Sequence, residues 1–132
     1  MKAVCALACG VILGTASLSS HHSFAAEFDG ESPITVSGTV ALVEWSNPHI
    51  HFYLDVTDDS GDVTQWRFEG YPPNMLVRQG WKRGTTLTPG AKVTVFGWRA
   101  RTDPHFAHAR EVTFADGRTL AAGPPAGTGG GQ

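Results

Sequence analysis

Apolar and polar positions alternate with a period of two along most of the chain beyond residue 33. In "ITVSGTVALVEW" (34–45), Ile34, Val36, Val40 and Leu42 fall on one face, and the β-branched residues favour a strand. Gly38 suits a bulge or a sharp coil in a bent strand. "HIHFYLDV" (49–56) alternates more cleanly, with Ile50, Phe52, Leu54 and Val56 on one side and His49, His51, Tyr53 and Asp55 on the other. "DDSGD" (58–62) is a turn built on acidic side chains and Gly61. A returning strand, "VTQWRFEGY" (63–71), sets Val63, Gln65, Arg67 and Glu69 opposite Thr64, Trp66 and Phe68.

The pattern then changes. "PPNMLVRQGW" (72–81) opens with Pro73 and Asn74, carries Met75, Leu76 and Val77, and ends near Gly80, which predicts one short helix. After the Pro89-Gly90 turn, "LTPGAKVTVFGWRAR" (87–101) places Val93 and Val95 opposite Phe96 and Trp98. "HAREVTFADGRTL" (108–120) pairs a strand with a short return across an Asp116-Gly117 turn. The expected fold is all-β with one short helix, a small OB-type five-stranded antiparallel barrel, because the helix falls between the third and fourth strands and the first strand is bent. The domain would span 34–120, preceded by an N-terminal arm (21–33) and followed by an unstructured Gly/Pro-rich tail (121–132).

The start of the chain has a different composition. Met1-Lys2 followed by an apolar run to Leu13 and the small residues of 15–20 has the form of a cleaved signal peptide over residues 1–20. The expected location is therefore periplasmic or secreted, with no stable membrane insertion. Both cysteines, Cys5 and Cys9, lie in that leader, so the mature chain has no disulfide and no thiolate chemistry. Without Lys2 the ten Lys and Arg fall to nine against twelve Asp and Glu. This mildly acidic balance argues against nucleic acid, where neutralising phosphate supplies much of the affinity.

All six histidines remain, as three pairs: His21-His22, His49-x-His51 and His105-x-x-His108. On a strand, positions i and i+2 share a side, so His49 and His51 can present two imidazoles together. Imidazole suits copper, zinc, iron and nickel. Cleavage decides what His21 and His22 can do. A cut after Ser20 makes His21 the first residue, whose free amine and ring can chelate one ion, as in a histidine brace. A cut after Ser19 puts histidine third, a square-planar arrangement for copper(II) or nickel(II), and a cut after Ser17 leaves neither. His105 and His108, in a loop entering a strand, read as surface residues. No catalytic constellation is evident: Ser23 and Ser46 lack a nucleophile elbow, and no carboxylate pair is fixed by spacing.

Four tryptophans are many for 132 residues. Trp45 and Trp98 fall off the main apolar stripes, and with Asn47 and Tyr53 they are expected to line a ligand-binding groove. "HHSFAAEFDG", "GTVALVEWSNPHIHFYLDV", "RFEGYPPNMLVRQGWKR" and "LTPGAKVTVFGWRAR" together resemble a family of small secreted bacterial proteins known only as a domain of unknown function. The likeness runs from His21 to about Leu120. Its most specific elements are His21-His22-Ser23-Phe24 and Trp45-x-Asn47-Pro48-His49. The resemblance implies a mature N-terminal histidine. Two functions compete: binding of a metal ion, copper first, through His21, His22, His49 and His51, or metal-free binding of a periplasmic protein or small ligand in the aromatic groove.

Overall fold

A computed structural model describes residues 24–125. The expected signal peptide, His21, His22 and residues 126–132 lie outside the described residues. The described chain is mostly β, with six strands and two short helices: α1 (Phe24–Glu27), β1 (Phe28–Glu44), β2 (His51–Thr57), β3 (Val63–Glu69), α2 (Pro73–Arg78), β4 (Lys92–Ala100), β5 (Phe106–Phe114) and β6 (Thr119–Ala121). The helix expected near residue 73 is α2, with Leu76 fully buried beneath it. The four-residue α1 has no counterpart in the hydrophobic pattern.

β1 is the organising strand. It pairs antiparallel with β2 through its second half and with β4 through its first. β2 and β3 form a regular hairpin, β4 pairs with β5, and β5 with β6. A parallel pairing of Arg67–Glu69 with Phe106–His108 joins β3 to β5. The pairings thus run in a circuit, β1–β2–β3–β5–β4 and back to β1. Inside it Val36, Val40, Phe52, Leu54, Phe68, Val95 and Val112 form the main core. Burying such side chains contributes about 1.5–3 kcal/mol each.

Three expectations are revised by this geometry. First, the strand begins at Phe28, inside the segment read as an arm. Its first and later pairings with β4, Phe28↔Ala100 and Pro33↔Trp98, are separated by a register shift. Second, Leu42 does not share the core face of Ile34, Val36 and Val40 but is 48% exposed. The β1–β2 register shifts between Val40 and Leu42, and one extra residue turns every following side chain to the other face. Gly38 is needed for a different reason, since a Cβ there would lie 2.7 Å from the Asp55 carbonyl oxygen. Third, the segment read as an unstructured tail starts in the fold. Ala122 is fully buried, its oxygen accepts the Tyr71 N–H at 2.7 Å, and Gly123 lies against His108.

A second, smaller apolar cluster lies outside the circuit: Phe28, Trp98, Ala100 and Phe106, with Phe24 and Phe96 packed against it. It follows from the alternation in β4, where Val93 and Val95 face inward and Phe96 and Trp98 face outward. The cluster holds the N-terminal segment across the outer face of β4 and β5.

Candidate functional site

The outer face of β2, β3 and β5 carries a row of three polar side chains. Hairpin pairing sets His51 opposite Glu69, and the parallel pairing sets Glu69 beside His108. His49 precedes β2 in a connection that contains a cis Asn47–Pro48 peptide bond. Between the two histidines, Ile50 is fully buried, with its N–H donating to the Tyr71 oxygen at 3.3 Å and its oxygen accepting the Gly70 N–H at 3.0 Å. Alternation about that anchor turns both histidines outward.

The three rings converge on one carboxylate. His49 Nδ1 lies 3.1 Å from Glu69 Oε1, His51 Nε2 lies 3.5 Å from Oε2, and His108 Nε2 lies 3.9 Å from Oε1. Burial acts to raise the Glu69 carboxyl, but the hydrogen bond from His51 and the neighbouring His49 and His108 rings outweigh it and hold the pKa below the usual value. His108 is 6% exposed. Burial pushes its pKa down to about 4, against the opposing pull of Glu69 and the hydrogen bond to Ala109. At neutral pH the His108–Glu69 contact is therefore not an ion pair.

The His108 tautomer follows from its other nitrogen. Nδ1 lies 3.1 Å from the Ala109 carbonyl oxygen, and a carbonyl only accepts, so Nδ1 carries the hydrogen. That leaves Nε2 as a bare lone pair turned toward Glu69 Oε1. Two acceptors 3.9 Å apart cannot bond each other, and a cation between them would satisfy both. The rings of Phe24 and Phe28 close over this imidazole, at 5.3 and 5.2 Å, both edge-on. A cavity of about 600 Å³ opens beside the row, and its wall is completed by Glu27, Pro48, Tyr71, Pro72 and Pro124.

Among the described residues, no three or more His, Cys, Asp or Glu side chains are grouped so that they could hold a metal ion as they stand. The reason lies in the convergence itself: the rings turn onto Glu69 rather than onto a shared empty point. Holding an ion here requires Glu69 to exchange its imidazole contacts for the metal.

The other singled-out residues are dispersed. Trp98 is buried in the outer apolar cluster, while Trp45 is half-buried against the main core. The Tyr53 hydroxyl donates to Glu44 at 3.2 Å, and Asn47 is exposed in the β1–β2 connection. His105 stays in the loop, where Asp103 Oδ1 accepts its N–H, and its ring meets Trp66 edge-on at 5.3 Å. His108 departs from its surface reading because β5 already begins at Phe106, so it lies within the strand and under Phe24.

Sequence reasoning missed Glu69 and His108 as site residues. Glu69 was within reach of it. Once Thr57 pairs with Val63 across the turn, six steps back along both strands bring His51 opposite Glu69. The parallel β3–β5 pairing that adds His108 leaves no local signal. A second concavity of about 400 Å³ includes Ser37, Asp55, Lys92, Thr94 and Thr113; the Ser37 and Thr94 hydroxyls bond each other at 2.7 Å, and that of Thr113 bonds Thr119 at 2.8 Å. It offers no comparable donor set.

Fold and site thus define a small, mostly β protein that presents a histidine–carboxylate cluster on the outer face of its sheet. Residues 8–107 match DUF6152, a family of unknown function, and the chain belongs to that family. No curated protein matches the chain.

Proposed function

We propose that the strand circuit is a small OB-type barrel and that its β2–β3–β5 face binds a copper ion in a periplasmic or secreted protein. The observation that carries this reading is the geometry of His108, with Nδ1 3.1 Å from the Ala109 carbonyl oxygen and Nε2 3.9 Å from Glu69 Oε1. A hydrogen bond from the far ring nitrogen to a backbone carbonyl is the usual support of a metal-ligating histidine. OB barrels commonly bind ligands on the face of strands 2 and 3. His51, His49 and Glu69 supply further donors.

The proposal extends to His21 and His22, which precede the described residues in the sequence. Nitrogen and oxygen donors without thiolate favour copper(II) over the other first-row divalent ions. The protein is expected to bind one copper(II) per chain in a competition titration against a chelator. His108→Asn and His51→Ala should each weaken binding at least tenfold. Equal affinity in wild type and both variants would refute the reading.

Ligand binding without a metal is the second reading, and the cavity favours it. About 600 Å³ walled by Phe24, Phe28, Pro48, Tyr71 and Pro72 exceeds what an ion needs and lies in the range of small-molecule sites. On this reading Tyr71→Ala weakens binding and His51→Ala does not.

A further inference from the structure

We propose that Gly123 is a positioning residue that fixes which nitrogen of His108 faces the site, an inference that rests on the copper reading only for its effect on affinity. The chain goes on bonding to β5 beyond the end of β6. The Ala122 and Gly123 N–H groups both donate to the Arg110 carbonyl oxygen, at 2.9 and 3.2 Å, and the Tyr71 N–H donates to the Ala122 oxygen at 2.7 Å. Arg110 Nη1 donates in turn to the Gly123 oxygen at 3.0 Å. These bonds bring Gly123 down beside Ala109 and His108.

The approach is too close for any side chain. A Cβ built on Gly123 would overlap the Ala109 carbonyl oxygen and lie 2.8 Å from His108 Nδ1 and 2.7 Å from Cε1. The oxygen and Nδ1 are the two ends of the hydrogen bond that sets the His108 tautomer. Gly123 has no positive φ, so the position needs room rather than an unusual backbone. Ala109 has little freedom to withdraw, because it pairs with Gly97 on β4. Glycine thus lets the chain close over the bond, while Phe24 and Phe28, in the N-terminal strap, pack edge-on against the same ring.

While Nδ1 donates to Ala109, Nε2 keeps its lone pair for an ion. With that bond broken, the hydrogen can move to Nε2 and turn toward Glu69 Oε1, which occupies the lone pair and the carboxylate together. A methyl group at 123 must lift the chain or turn the ring, and either breaks the bond.

The tautomer can be read without copper. In a long-range ¹H–¹⁵N spectrum of the ¹⁵N-histidine-labelled apoprotein at neutral pH, wild-type His108 is expected to carry its hydrogen on Nδ1. Gly123→Ala is expected to populate the Nε2-protonated form and to weaken copper(II) binding about tenfold or more in the chelator competition. Added to His108→Asn, it is expected to change affinity less than about twofold. Should Gly123→Ala fold poorly, Arg110→Met removes the Nη1 bond to the Gly123 oxygen without adding an atom beside the ring. The same move of the hydrogen is expected there, with a weakening of about threefold.

An Nε2-protonated His108 in the wild type, or an unchanged tautomer in the folded variants, would overturn the positioning role. So would an equal loss of affinity with and without His108. Absence of copper binding in the wild-type protein would overturn the copper reading alone, and the tautomer spectrum would still decide the role of Gly123.

Discussion

His108 is the residue on which stability and chemistry meet. Folding strips its ring of water, and the neutral form is retained because Nδ1 has the Ala109 carbonyl and Nε2 needs no hydrogen. Its pKa falls from 6.5 to about 4. Between those values the unfolded chain binds more protons than the folded one, so stability is present above pH 6.5 and is lost as pH falls toward 4. A difference of this size corresponds to roughly 3 kcal/mol. Glu69 adds in the same direction, because its depressed pKa makes it a further acid-labile group below the ordinary carboxylate range. Denaturant melts taken from pH 7 to 4 should show this loss, and His108→Asn should flatten it. A wild-type profile that is flat between pH 6.5 and 4 would contradict the account of His108.

At the scale of elements, periodicity read the strands well wherever the ladder is regular. The β2–β3 hairpin illustrates this: every inward residue from Phe52 to Phe68 was legible because the turn at 58–62 fixes one register. Leu42 shows the limit, since a bulge reverses the pattern without leaving a residue type that announces it. Gly97 is a third case. It lies where the β4–β5 register shifts, and a Cβ built on it would run into the His108 carbonyl oxygen. Backbone cannot give way there without parting the two strands. Gly97→Ala is therefore expected to destabilise the protein by about 3 kcal/mol, seen as a melting temperature roughly 10–20 °C lower. A shift under 3 °C would show that β4 and β5 are not so closely apposed.

For the whole molecule, the ends of the described chain both come to the same place. Phe24 and Phe28 pack edge-on against His108, Gly123 lies against the same ring, and Pro124 lines the cavity they share. Composition made these segments look like an arm and a tail, since neither has the alternation that identifies a strand. Their order comes from tertiary contacts instead: Phe28 in the outer apolar cluster, and Arg110 Nη1 donating to the Gly123 oxygen at 3.0 Å. The same limit applied to the site. His49 and His51 were legible from their spacing, whereas Glu69 needed the hairpin register and His108 needed the closure between β3 and β5. Phe28→Ala should cost about 3 kcal/mol and also open the site. Chemical modification with diethyl pyrocarbonate would report this as faster reaction of His108, and an unchanged rate would show that the strap does not shield it.

The central claim is that the β2–β3–β5 face binds copper through histidine nitrogen. Electron paramagnetic resonance with nuclear double resonance on the copper(II)-loaded protein, labelled with ¹⁵N-histidine, tests it most directly. The account predicts couplings from at least two histidine nitrogens, with one lost in His51→Ala and one in His108→Asn. A spectrum without labelled nitrogen, or one unchanged by both substitutions, would contradict it.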